Sequence, residues 1–123
     1  MKKLAIFFLL GMATIVLMPQ PTKCVTMSIV TVTAYSYSGG MSPHSVTASG
    51  RKVKEGMVAV SRDLEHSLKL AFGDRVLLHG LGVFEFQDRM AQSQRKKVDL
   101  FMKSDAKARR FGVKRHIVLV KLA

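Results

Sequence analysis

Tryptophan is absent, cysteine occurs once, and only eight of the 123 residues are acidic. The single thiol, Cys24, has no partner within the chain, which excludes an internal disulfide framework and a cysteine-rich zinc or redox centre. The four histidines, His44, His66, His79 and His116, show neither HxH nor HxxxH spacing. No metal site and no cofactor is therefore expected. The basic part of the chain lacks the interleaved aromatics on which single-strand binders stack bases, so nucleic acid is not expected as a partner. No GxSxG occurs, which removes the nucleophile-elbow serine hydrolases. No apolar run reaches the roughly 20 residues that a membrane-crossing helix needs.

What is present begins with an apolar content of 48% in a chain long enough for one core. Met1, Lys2 and Lys3 precede an apolar run from Leu4 to Met18, and Pro19 and Pro21 follow it. That order reads as an export signal. Residues 1–24 are read as a signal peptide, or an N-terminal anchor, with a short linker, and residues 25–123 as the exported domain. The expected location is the periplasm or cell envelope, membrane-anchored or extracellular.

Twenty basic residues against eight acids leave a formal charge of +12. The cations gather late, with Arg95, Lys96, Lys97, Lys103, Lys107, Arg109, Arg110, Lys114 and Arg115 facing only Asp99 and Asp105. Such a face suits an anionic wall polymer or anionic lipid, or it serves solubility alone.

Residue patterning predicts short strands at 29–37, 57–60, 75–78 and 82–87, a hairpin turn at HGLG (79–82) and a last strand at 115–122. A helix is expected over Asp63 to Leu70, with Leu64 and Leu68 on one face and Gly73 as its stop. A second is expected from the Ser104 N-cap to Gly112. Residues 38–50, rich in Gly, Ser and Pro, read as a surface loop. Many short strands with one or two short helices suit a small β-barrel.

Seven stretches then occur in a telling order: VTAYS (32–36), TASG (47–50), GMVAVSRDL (56–64), FGDRV (72–76), GVFEFQDRM (82–90), KKVDLF (96–101) and AKARRFG (106–112). Together they resemble the three-aspartate (3D) domain family, which is similar to the catalytic domain of membrane-bound lytic transglycosylase A and, more distantly, to rare lipoprotein A and expansin-type barrels. The resemblance covers Ile29 to Lys121. It implies a mainly β fold, a six-stranded double-psi β-barrel, and action on peptidoglycan glycan strands. The second and third family aspartates fall on Asp88 and Asp99. At the first stands Ser61, and whether Asp63, two residues on, takes its place is left open.

Cleaving a glycosidic bond needs a proton on a poor leaving group, which a carboxylic acid of raised pKa supplies. Alternation in VDLF sets Asp99 opposite in direction to Val98 and Leu100, so Asp99 is expected to face a groove as acid and then base. Asp88, held ionised by neighbouring Arg89, is its expected partner. Tyr35, Thr47, Ser49, Gly50 and Asp63 are the candidates for glycan binding. The bland alternative makes Asp88 a turn cap and Asp99 an ion-pair partner of Lys96 or Lys97. Two functions follow: a lytic transglycosylase, or a non-catalytic glycan-binding module with a basic face.

Overall fold

The computed structural model describes residues 26–37 and 45–122. The N-terminal segment read as an export signal, and residues 38–44 of the Gly/Ser/Pro loop, lie outside the described residues. Six strands form a closed barrel: β1 (Met27–Tyr35), β2 (Met57–Val60), β3 (Arg75–Leu78), β4 (Gly82–Arg89), β5 (Lys97–Phe101) and β6 (Lys114–Lys121). Two short helices join them, α1 (Arg62–Ser67) after β2 and α2 (Asp105–Phe111) after β5. The order around the barrel is β1-β5-β2-β4-β3-β6. Two neighbouring pairs, β1 with β5 and β2 with β4, run parallel, while the remaining pairs run antiparallel. Each parallel pair is joined through a long crossover, which carries β2 to β4 between β1 and β5, and α1 with β3 between β2 and β4.

Period-2 alternation decides what fills the barrel. On β1, Val30 and Val32 point inward and are buried, while Thr31 and Thr33 are only half-buried. On β5, Val98 and Leu100 face the interior, with Asp99 between them on the outer side. Val58, Val60, Val76, Leu78, Phe86 and Leu119 complete the core from the other strands, and Leu64 and Leu68 close it from α1. The ring of Phe86, 0% exposed, stacks on Phe72 at 5.0 Å between centroids.

Both helices form where local chemistry favours them. The Ser104 hydroxyl accepts from Lys107 N at 3.3 Å, and Gly112 closes α2 at φ 67°, a conformation that L side chains resist. Helix α1 ends at Ser67, earlier than the Leu64/Leu68 spacing suggests, because Leu68 caps it and Lys69 turns to φ 51°. Gly73 therefore belongs to the turn into β3. Strand β4 runs two residues beyond expectation, through Asp88 to Arg89. Among the described residues no helix is long and apolar enough to cross a membrane.

Removing the Phe86 ring should leave a void that the closed barrel cannot fill. Phe86→Ala is expected to lower unfolding free energy by about 3–5 kcal/mol, seen in urea titration as an earlier midpoint with little change of slope.

Candidate active site

Three registers align one row of side chains across four strands. Asp88 on β4 pairs with Ala59 on β2, Ala59 pairs with Asp99 on β5, and Asp99 pairs with Thr33 on β1. The two aspartates thus flank a single small residue. Two interstrand spacings separate their backbones by about 10 Å, and the alanine methyl between them leaves open space above the strand.

Asp88 reaches this row only because β4 carries one extra residue. Val58 pairs with Phe86, but the next residue, Ala59, pairs with Asp88 and not with Gln87. Without that bulge, strict alternation from the inward Phe86 would turn Asp88 inward too. Gln87 is buried and its side-chain amide donates to Glu85. Its carbonyl accepts from Ser49 N at 3.1 Å, and Asp88 Oδ1 accepts from Ala48 N at 2.9 Å. The TASG loop is thereby fastened onto the bulge.

An open cavity of about 350 Å³ lies over the row, lined among others by Thr33, Tyr35, Ala59, Asp88, Lys97 and Asp99. Asp99 accepts a hydrogen bond from the Thr33 hydroxyl at 2.9 Å. Burial pushes its pKa above the usual carboxylate range, and the charge of Asp88 pushes the same way, while the Thr33 bond works against both. Asp88 takes a second backbone bond from its neighbour, Arg89 N, at 2.9 Å.

Tyr35 stands between these acids and an aromatic cluster. Its ring meets Phe101 and Tyr37 edge-on, at 5.5 and 6.0 Å between centroids. The hydroxyl is buried without a hydrogen-bond partner among the described residues. Burial, then the charge of Asp88, hold its pKa far above the ordinary tyrosine value, so it remains a proton donor. Although Asp88 is close enough to act on it, the two oxygens do not meet in a well-formed hydrogen bond. A buried donor without an acceptor is costly to the free protein, and a ligand oxygen would relieve it.

The other expected residues lie elsewhere. The Thr47 hydroxyl sits 2.7 Å from that of Ser49 and bonds Arg51 O at 3.0 Å, and Gly50 takes φ 87°, so this loop shapes itself and holds Asp88 without lining the cavity. Asp63 is also outside it, accepting from Lys96 N through both oxygens at 3.0 and 3.3 Å. Burial acts to raise the Asp63 pKa, but hydrogen bonds from Ser61 and the backbone at Lys96 and Leu64 outweigh it and leave it below the usual range. Ser61 is fully buried and accepts from Lys97 N at 3.1 Å. Ser61 and Asp63 thus anchor the start of β5, and neither adds a third group to the pair.

Two expectations about charge need correction. The Arg89 guanidinium turns to Glu65 at 2.7 Å and lies 4.5 Å over the Phe72 ring, so the positive charge beside Asp88 in sequence is engaged elsewhere. Asp88 is held by backbone N–H groups in its place. Nor does Asp99 form an ion pair with Lys96 or Lys97 among the described residues. Sequence reasoning passed over Thr33, Ala59 and Lys97 as site residues. The alternation of β1 and β5 marks the Thr33–Asp99 face, but only register reveals Ala59.

No family model and no curated protein matches the chain. Among solved structures, the Streptomyces papain inhibitor (SPI) is similar in fold, at 18% identity and a TM-score of 0.55, over 84% of this chain and 100% of that one. At that identity the likeness concerns the barrel alone.

The two shifted aspartates should respond oppositely to pH. The folded-state pKa of Asp99 lies above its unfolded value, so its contribution is full below the unfolded value, near 3.9, and is lost as pH rises through the folded one. Asp63 has the reverse sign, stabilising above its unfolded pKa and losing that effect as pH falls. Melting curves of Asp99→Asn and Asp63→Asn against wild type should diverge in opposite directions on going from acid to neutral pH, with Asp99→Asn gaining. Tyr35→Phe, which removes the unsatisfied hydroxyl, should stabilise the free protein by up to about 1–3 kcal/mol, measured by urea unfolding.

Proposed function

We propose that this protein is an exported peptidoglycan lytic transglycosylase of the three-aspartate type, cleaving the MurNAc–GlcNAc bond to leave a 1,6-anhydro end. The observation that carries the reading is the Asp88–Ala59–Asp99–Thr33 row beneath an open cavity, with Asp99 held toward its protonated form. The cavity is of ligand-binding size. The ordered motifs around VTAYS, FQDRM and KVDLF point to the same chemistry.

In this reading, protonated Asp99 gives its proton to the glycosidic oxygen as the C1–O bond of MurNAc breaks. Positive charge grows at C1, and the Asp88 carboxylate, two strands away, is placed to stabilise it. The Asp99 carboxylate then takes the proton of the MurNAc C6 hydroxyl as that oxygen bonds to C1. No water is consumed, and Asp99 returns to its starting state. The Tyr35 hydroxyl donates to a substrate oxygen, which gives its buried donor the acceptor that the described residues do not supply. Exposed Arg95 and Lys96 and half-buried Lys97, on the segment leading into β5, draw the anionic wall toward the groove.

A second reading, glycan binding without cleavage, draws on Ser61. Where the family has its first aspartate, this buried serine is tied to Lys97 N, so only two carboxylates line the cavity. Muropeptide release from purified sacculi, followed by mass analysis, separates the two. Asp99→Asn keeps the shape and should lower release of anhydro-muropeptides by about 10²–10⁴-fold, with sacculus binding retained. Absence of soluble fragments from wild type, with equal glycan binding by wild type and Asp99→Asn, would leave the binding module.

A further inference from the structure

The carboxylate row occupies the outer surface of β4, β2, β5 and β1, and the remaining arc of the closed barrel, β1-β6-β3-β4, has a different character. Here one row of outward positions is aliphatic. Met27 pairs with Val120, Val120 with Leu77, and Leu77 with Val83, giving a second row across four strands. Ile29 and Val118 form a pair beside it. Met27, Ile29 and Val83 are 56%, 59% and 49% exposed, while their inward neighbours Leu119, Leu78 and Val76 are buried. The core is therefore already filled, and this outer row covers nothing among the described residues.

Cations border the row. Arg75 shares the outward face of β3 with Leu77, His79 is exposed just past the end of β3, and Lys114, Arg115 and His116 are exposed at the start of β6. The acids near that border are paired: Glu85 lies cross-strand from Arg75 and has Arg51 at 3.7 Å, and Asp74, just before Arg75, has Lys121 Nζ at 3.8 Å. An apolar strip within a positive rim is complementary to a bilayer surface bearing anionic headgroups, which takes the aliphatic groups at the acyl boundary and the cations at the phosphates. A second copy of the chain fits less well. Face-to-face pairing would press two positive rims together on chains of charge +12.

The attachment of the chain agrees. Strand β1 begins at Met27 within the strip, nine positions after Met18, the end of the apolar run. Extended chain covers at most about 3.3–3.6 Å per residue, so while that run stays attached to a membrane this arc is held close to it.

We propose that the β1-β6-β3-β4 face docks flat on anionic phospholipid, leaving the carboxylate groove on the opposite arc directed away from the bilayer. The docking itself does not depend on the catalytic reading. It is tested on the full chain carrying Cys24→Ser with a single fluorescent label at Val83→Cys or, as a control beside the groove, at Gln92→Cys. Vesicles of phosphatidylglycerol and phosphatidylcholine with a nitroxide high on the acyl chain serve as quencher, since docked apolar faces sink about 5–10 Å to that boundary.

The Val83 label should lose most of its emission and the Gln92 label should keep it. Arg75→Gln with Arg115→Gln, or phosphatidylcholine alone, should restore the Val83 signal. Tethering through the N-terminal run without docking would treat both labels alike, and that result overturns the proposal. So does a Val83 label already shielded without vesicles in a species that sediments as a dimer.

Discussion

One inserted residue governs the arrangement of this barrel. At Gln87 the ladder between β2 and β4 slips by one, and from that point every side chain of β4 changes face. Phe86 remains in the core, Asp88 turns out to stand beside Ala59, and the bulged backbone offers its Gln87 carbonyl to the loop at Ser49. The same loop returns a backbone N–H from Ala48 to Asp88. A bulge thus aims the carboxylate, and the loop locks the aim.

From that constraint follow the electrostatics of the cavity. Asp88 is held by two backbone N–H groups on one oxygen, whereas Asp99 has a single hydroxyl donor. Burial disfavours the charged form of Asp99 and the charge of Asp88 acts the same way, while the Thr33 bond works against both. In the proposed reaction Asp99 alone makes both proton transfers, to the leaving oxygen and then from the attacking hydroxyl, and Asp88 serves by its charge. Tyr35, its hydroxyl buried beside them without a partner among the described residues, is a local cost accepted at a site, as functional groups often are. The barrel also divides its outer wall: polar row on one arc, aliphatic row on the other.

Much of this was legible in the residues. Val, Ile and aromatic alternation marks β1, β3, β4 and β6, the Ser104 cap marks α2, and the motif order locates Asp88 and Asp99 along the chain. Alternation in VDLF also foretells that Asp99 looks outward. Beyond reach were features set by long-range register. Nothing in FEFQDRM announces that Gln87 is the extra residue, because a bulge is defined only against its partner strand. Ala59 draws no notice until its two neighbours are known. The TASG hydroxyls resemble ligand-binding groups in sequence, yet they close their own turn while the loop's backbone does the holding. Arg89 shows the limit of adjacency, since consecutive strand residues point to opposite faces and its charge meets Glu65 across the fold.

The central claim is that burial, and secondarily Asp88, keep Asp99 protonated above the pH at which ordinary carboxylates ionise. Titration of the Asp99 side-chain carboxyl carbon by NMR, in wild type and in Asp88→Asn, tests it most directly. The account predicts a midpoint above the ordinary aspartate value in wild type, moving partway down in Asp88→Asn and remaining raised because burial is the larger cause. A wild-type midpoint at or below the ordinary value, or one that falls fully to it when Asp88 is neutralised, would contradict it.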